Sequence, residues 1–261
     1  MPDLGAALAR LYDLDLAVDP GDLDLYLALA ERTGGPVVEL CAGSGRVALP
    51  IAAAGHDVVG IDLDPAMLAR ARTAADVVER STAARLSFVG GDLFTTAVPG
   101  AGGFRLAILA LNSILLLGGP RRQRRAIAIL GELLAPGGVA VVDAWQPLAD
   151  DLTRFDGRLG LEWLRRDPET GSDVAKFASA WLDGAARRVT LTTIFEEGFQ
   201  GSAPIRWTRE DVLHLISGEE LAIYAEDAGL VVEVLAGDYD LAPLAAGDGR
   251  AILVARRPGG P

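Results

Sequence analysis

The stretch Val37–Ala71, VVELCAGSGRVALPIAAAGHDVVGIDLDPAMLARA, leaves few folds open to the chain. It opens on Val37-Val38-Glu39-Leu40, a short apolar run of the kind that forms a strand buried on both faces of a parallel sheet. A tight loop follows, Ala42-Gly43-Ser44-Gly45, and the small residues after it predict a helix over 46–54, stopped by Gly55. A second apolar run, Val58-Val59-Gly60-Ile61, ends at Asp62. Strand, glycine turn, helix and strand make one half of a nucleotide-binding sheet, with an acidic residue closing the second strand. Glycines at that turn let a ligand approach the backbone, and a helix start offers free N–H groups. The two carboxylate oxygens of Asp62 suit the paired hydroxyls of a ribose, so an adenosine-like ligand is expected here.

Two cofactor families use this plan. Gly43-x-Gly45-x-x-Ala48 satisfies the dinucleotide pattern and leaves an NAD-dependent oxidoreductase open. Glu39-Leu40-Cys41-Ala42-Gly43-Ser44-Gly45 and Gly60-Ile61-Asp62-Leu63-Asp64-Pro65-Ala66-Met67-Leu68 resemble instead the first two motifs of the class I S-adenosylmethionine-dependent methyltransferases. Cys41 departs from that pattern, standing where the family's first glycine usually is. The resemblance implies S-adenosylmethionine as cofactor and S-adenosylhomocysteine as product. It also implies cofactor contacts from Glu39, Ala42, Gly43, Gly45, Asp62, Leu63 and Met67.

Composition narrows the partners. Half of the 261 residues are hydrophobic, enough for one large α/β domain with an insertion. The 24 Lys and Arg against 36 Asp and Glu leave a net charge of -12, which repels phosphate backbones and argues against nucleic acid. A single cysteine rules out an internal disulfide and fits a reducing compartment. The start, MPDLGAALARLYDL, lacks a basic region before an apolar core, and no run is long and apolar enough to span a membrane. A cytoplasmic enzyme without membrane partners is the expectation.

Along the rest of the chain, residues 3–34 read as helical, carrying Tyr12 and Tyr26. By resemblance these two aromatics close over the methionine part of the cofactor, Tyr12 touching the reactive centre; otherwise they are ordinary amphipathic-helix aromatics. A helix is predicted over 65–80 and a strand over 86–89, leading to Gly90-Gly91-Asp92-Leu93. By resemblance Asp92 accepts the adenine amino group and Leu93 makes the neighbouring contact, whereas Asp after two glycines also reads as a turn residue. The apolar run Phe104–Leu111 delivers Asn112-Ser113 to the carboxyl edge, where open α/β sheets bind ligands, so Asn112 is a candidate cofactor contact or a cap of the following segment. That tip is similar to those of small-molecule methyltransferases and unlike the Asn/Asp-Pro-Pro-aromatic tip used on bases or amides. Pro120–Arg125 is a basic helix start, either solvated or an anion contact. Ala135-Pro136-Gly137-Gly138 precedes a valine-rich strand to Asp143, and Trp145 follows as a wall for the acceptor or a packing anchor.

After Gln146 the pattern changes to an antiparallel insertion. Residues 151–166 read as irregular or helical; two strands, 174–182 and 187–196, join around Asp183-Gly184; a third ends at Trp207. Thr208-Arg209-Glu210-Asp211 reads as a capping-box start for a helix to about Leu215, with His214 mid-helix. The family often places such a cap over the acceptor, which makes Trp181 and Trp207, with Trp145, candidate substrate contacts. Some cap aromatics must instead hold the cap or form a homodimer contact.

The expected fold is α/β: a doubly wound, mostly parallel seven-stranded sheet with an antiparallel cap insertion and an N-terminal helical segment. Its divisions are 1–35 helical cap, 36–146 cofactor-binding core, 147–207 substrate cap and 208–261 completion of the core sheet. The expected activity is methyl transfer to an N or O atom of a small molecule such as an amine, amino sugar or phenolic metabolite. No metal is required, because alignment and desolvation carry such a displacement. The NAD-dependent oxidoreductase and a catalytically silent cofactor-binding scaffold stand as alternatives.

Overall fold

The computed structural model describes residues 3–198 and 203–259. The chain forms two compact units, one of residues 19–146 with 216–261 and the other of residues 1–18 with 147–215. The helical segment 1–35 is thus divided: its first helix belongs with the insertion and its second with the core.

In the core unit, five strands run parallel: β1 Val37–Leu40, β2 Val58–Asp62, β3 Leu86–Gly90, β4 Phe104–Leu109 and β5 Leu134–Trp145. Two more, β10 Val231–Ala236 and β11 Arg250–Arg256, add an antiparallel edge on β5. The sheet order is β10-β11-β5-β4-β1-β2-β3, the doubly wound seven-stranded arrangement expected from the sequence. The apolar runs explain it: every residue of β1 is buried, as are all but one of β4, because helices cover both faces. The helices are α2 Leu23–Thr33, α3 Ala48–Ala53, α4 Pro65–Val77, α5 Arg80–Ala83, α6 Pro120–Leu133 and α8 Gly218–Asp227. Since β1 is flanked by β2 on one side and β4 on the other, the strand order reverses there and opens a crevice at the carboxyl edge. The helix after the glycine loop is shorter than the predicted 46–54, because 43–47 remain in turns.

The second unit joins α1 Leu4–Asp15 and α7 Ala149–Arg154 to a four-stranded antiparallel meander. Its strands are β6 Gly160–Arg166, β7 Asp173–Asp183, β8 Arg188–Glu197 and β9 Ile205–His214, in sequence order. Ala7, Leu11 and Leu14 of α1 pack against Val174, Phe195 and Trp207 of the sheet. Beneath them Arg10 pairs with Asp167 and Glu197, so the charges carried into this small core compensate one another.

Two expectations fail here. Residues 208–214 are the body of β9, not a helix, and His214 ends the strand. The capping-box pattern loses to a ten-residue ladder running from Glu197↔Ile205 to Arg188↔His214. The alternation behind that ladder is visible once sought, since Arg206, Thr208, Glu210 and Val212 are exposed while Trp207 between them is buried. The capping box itself lies further on: Ser217 Oγ accepts from the Glu220 amide at 3.2 Å, and Glu220 accepts from the Ser217 amide at 2.8 Å, starting α8. Likewise residues 160–166, expected irregular or helical, form β6. No helix among the described residues is long and apolar enough to cross a membrane.

Candidate functional site

The glycine loop is held from below by strand-like bonds and from the side by one carboxylate. The amide of Ala42 donates to Ile61 O at 2.9 Å, which ties the loop to β2. Gly43 and Gly45 take φ of 55° and 85°, left-handed values suited to glycine. Cys41 has φ 58° as well, so the position where the family usually places glycine has glycine's backbone here with a cysteine side chain. Burial, then the nearby carboxylates of Asp62, Glu39 and Asp92, push its thiol up to about 12. It is therefore a neutral, poorly nucleophilic thiol at neutral pH.

Asp62 closes β2 and spans the crevice. Its Oδ2 accepts from the Gly43 amide at 2.7 Å and its Oδ1 from the Asp64 amide at 2.8 Å. Each oxygen keeps a lone pair, and both are braced by backbone amides. Asp64 then caps α4, accepting from Ala66 at 2.8 Å and Met67 at 3.4 Å. Leu63 is 71% exposed, an apolar surface beside Asp62, whereas Met67 is nearly buried.

Glu39 lies wholly inside β1. One oxygen accepts from the Ala48 amide at the start of α3, and Oε2 has no hydrogen-bond partner among the described residues. Burial lifts its pKa from 4.5 to about 8 against the opposing pull of Arg46. Arg46 is fixed in turn by both oxygens of the buried Asp22, at 2.7 and 2.6 Å.

At the next strand tip, the Gly91 amide donates to Asp62 O at 2.9 Å, which brings Asp92 alongside Asp62. Asp92 is a turn residue whose Oδ1 accepts from Phe94 N at 3.0 Å, while Leu93 is buried beside it. The turn reading of Asp92 is the one the structure shows.

The tip of β4 is strained, with Leu111 and Asn112 at φ 41° and 64°. Asn112 Oδ1 accepts from the Trp145 amide at 2.6 Å, and its own amide donates to Asp143 O at 3.1 Å. Asn112 is thus a bracket between the tips of β4 and β5, and Trp145 leaves that bracket half-buried.

Behind the bracket is a network the sequence reading missed. Asp143, fully buried, receives the Arg250 guanidinium on Oδ1 and the hydroxyls of Tyr239 at 3.1 Å and Tyr26 at 3.5 Å on Oδ2. Burial raises the Asp143 pKa, while Arg250 opposes the rise. The Tyr26 hydroxyl is raised by burial and then by Asp143. Tyr26 is 0% exposed, so the structure places it within the core, hydroxyl toward Asp143. In the other unit, Tyr12 is half-buried on α1 and Trp181 is 60% exposed on β7. Trp207 is 7% exposed, with Nε1 donating to Glu197 at 3.2 Å, so it packs the unit's core.

A glycine loop, an acidic β2 terminus and a strand-order reversal beside β1 define the class: a doubly wound α/β protein of the nucleotide-binding kind. Residues 37–138 match the family model for a methyltransferase domain. That match is in line with the resemblance to the class I S-adenosylmethionine-dependent enzymes that the two motifs carry. The chain is 33% identical over 114 residues to an uncharacterized RNA methyltransferase of Parasynechococcus marenigrum, covering 44% of this chain and 22% of that protein. It thus spans about a fifth of that curated relative. Among solved structures, the CcbJ methyltransferase from Streptomyces caelestis has a TM-score of 0.78 at 22% identity, covering 93% of this chain and 92% of that one. An amino pentose methyltransferase from Micromonospora echinaspora, solved with S-adenosylmethionine, has a TM-score of 0.70 at 22% identity, covering 95% and 96%.

The site's chemistry fits that cofactor. The orphaned Glu39 oxygen is a buried polar atom awaiting a partner, Asp62 presents a braced pair of acceptors, and Leu63 offers exposed apolar surface.

Proposed function

We propose that the chain transfers a methyl group from S-adenosylmethionine to a nitrogen or oxygen atom of a small molecule, an amine, amino sugar or phenol. The observation that supports this best is the Asp62 carboxylate braced between the Gly43 and Asp64 amides, inside the segment that matches a methyltransferase domain. S-adenosylmethionine supplies a methyl carbon activated by positive sulfur. Asp62 fixes the ribose, Asp92 and Leu93 the adenine, and the glycine loop with Glu39 the amino-acid end. Asn112 holds Trp145 at the tip of β5, where an indole can wall the acceptor. Such alignment supplies roughly 7–11 kcal/mol of a displacement barrier without a metal or covalent nucleophile. Asp143 is excluded as a base by its partners, since both of its oxygens already receive donors. That favours an acceptor that is nucleophilic before it loses a proton, such as a neutral amine, over a hydroxyl. The similarity to an amino pentose methyltransferase over 95% of the chain points the same way. Roles for Tyr12, Trp181 and a homodimer contact rest on the family resemblance alone. RNA belongs to the relative's name; a net charge of -12 opposes it here.

Calorimetric titration with S-adenosylhomocysteine, with NADH as control, tests the reading. Wild type should bind the adenosyl ligand and not NADH, and Asp62→Ala should weaken binding about 10- to 100-fold, as expected for lost hydrogen bonds to a charged group. Binding of NADH alone would overturn the reading.

A further inference from the structure

The basic start of α6 has one arginine turned to a different use from its neighbours. Arg124 pairs with Asp227 and lies over the Tyr224 ring, and Arg125 pairs with Glu132, so both fasten helix surfaces. Arg122 reaches across to the loop after β3. Its Nη2 lies 3.4 Å from Asp92 Oδ2, and its guanidinium carbon sits 4.1 Å from the centre of the Phe94 ring. Asp92 is therefore gripped from two sides, Oδ1 by the Phe94 amide at 3.0 Å and Oδ2 by Arg122. The same Phe94 supplies the amide for one contact and the ring for the other, so the carboxylate, guanidinium and phenyl form a closed triangle.

We infer that Arg122 is a positioning residue for purine selection: stacked on Phe94, it orients Asp92 so that the site accepts a 6-amino purine and rejects a 6-oxo one. The inference rests on the adenosyl reading of Asp92 and adds a residue outside the motifs that carried that reading. Physically, a carboxylate rewards the donor hydrogens of an exocyclic amine and repels the carbonyl of a hypoxanthine. How strongly it does so depends on how well its oxygens are held. A carboxylate free to rotate can turn toward solvent when the wrong purine enters. One clamped by a planar guanidinium cannot do so without breaking the stack. The pair is half-exposed, so the effect is modest and must be read as selectivity more than as raw affinity.

The test is a double-mutant cycle on Asp92→Asn and Arg122→Gln, titrating each purified variant with S-adenosylhomocysteine and with its 6-oxo analogue, S-inosylhomocysteine. Arg122→Gln should weaken S-adenosylhomocysteine about three- to fivefold and leave the 6-oxo analogue nearly unchanged, lowering the selectivity ratio by that factor. Adding Arg122→Gln to Asp92→Asn should cost nothing further. Arg122→Lys keeps the charge but lacks the planar stack, so it should recover only part of the ratio. A ratio unchanged in Arg122→Gln, while Asp92→Asn collapses it, overturns the role of Arg122 and spares the reading of Asp92. A ratio unchanged in both overturns both. Equal losses for the two ligands would mean a structural role only, and would overturn the inference as well.

Discussion

A single buried carboxyl, Glu39, couples stability to pH with a definite sign. Its folded-state pKa is raised to about 8 from 4.5, so the native chain keeps a proton that the unfolded chain has released across that window. Stability contributed at Glu39 is therefore complete below about pH 4.5 and declines as pH rises toward 8, at about 1.4 kcal/mol per pH unit at most. Glu39→Gln imitates the neutral form and removes the slope. In chemical denaturation the variant should match wild type near pH 4.5 and grow progressively more stable than it up to pH 8. A difference that stays constant over that range would show that Glu39 is not the titrating group. Cys41 makes a related point about backbone. A family pattern read from letters marks Cys41 as a departure, yet its φ of 58° shows that the chain kept the turn and accepted a costlier residue in it.

At the scale of elements, Asp143 joins α2, β5, β11 and the loop carrying Tyr239 at one carboxyl edge. Asp143→Ala would leave the Arg250 cation without its partner in a partly buried place and strip the acceptor from two tyrosines. The expected cost is about 3–5 kcal/mol in denaturant unfolding, as for other buried pairs broken on one side. Removing the exposed Arg85–Asp57 pair, by contrast, should cost less than about 1 kcal/mol. This contrast also explains what was legible in the sequence. Val37–Leu40, Val58–Asp62 and Phe104–Leu109 could be read because burial on both faces writes itself as continuous apolar runs. Glu39 could be read because it comes just before the glycine loop in the chain, and Asp62 because it ends the next apolar run. Asp22, Tyr239 and Arg250 could not, since each is one polar residue in an unremarkable stretch, brought to Arg46 or Asp143 only by the folding of distant elements. Strand β9 was misread for the opposite reason: a strong local helix signal, Thr208–Asp211, masks a weaker alternation and is overruled by pairing with β8.

For the whole molecule, the division into two units makes a prediction about where cofactor affinity resides. The insertion leaves the core after Gln146 and returns at Ile216, and Gln146 Nε2 donates to Ile216 O at 2.9 Å, so exit and re-entry are neighbours. Replacing 147–215 with a short Gly-Ser loop therefore closes a small gap at little entropic cost. The N-terminal residues 1–18 must go as well, because Ala7, Leu11 and Leu14 pack against the removed sheet and would otherwise be left as exposed apolar surface. The residual chain keeps α2, the seven strands, the glycine loop, Asp62, Asp92 and the Asp143 network. On the proposed reading of the site it should bind S-adenosylhomocysteine within about tenfold of the full chain, since Asp62, Asp92 and the glycine loop are all retained. On the resemblance's reading of the insertion as a substrate cap, it should show no methyl transfer to any acceptor the full chain uses. A folded core, verified by its melting transition, that no longer binds the ligand would place a required contact in the removed residues, with Tyr12 first among them. Retained turnover would instead place the acceptor site wholly on the core, and would strip the antiparallel sheet of the substrate role that the resemblance assigns it.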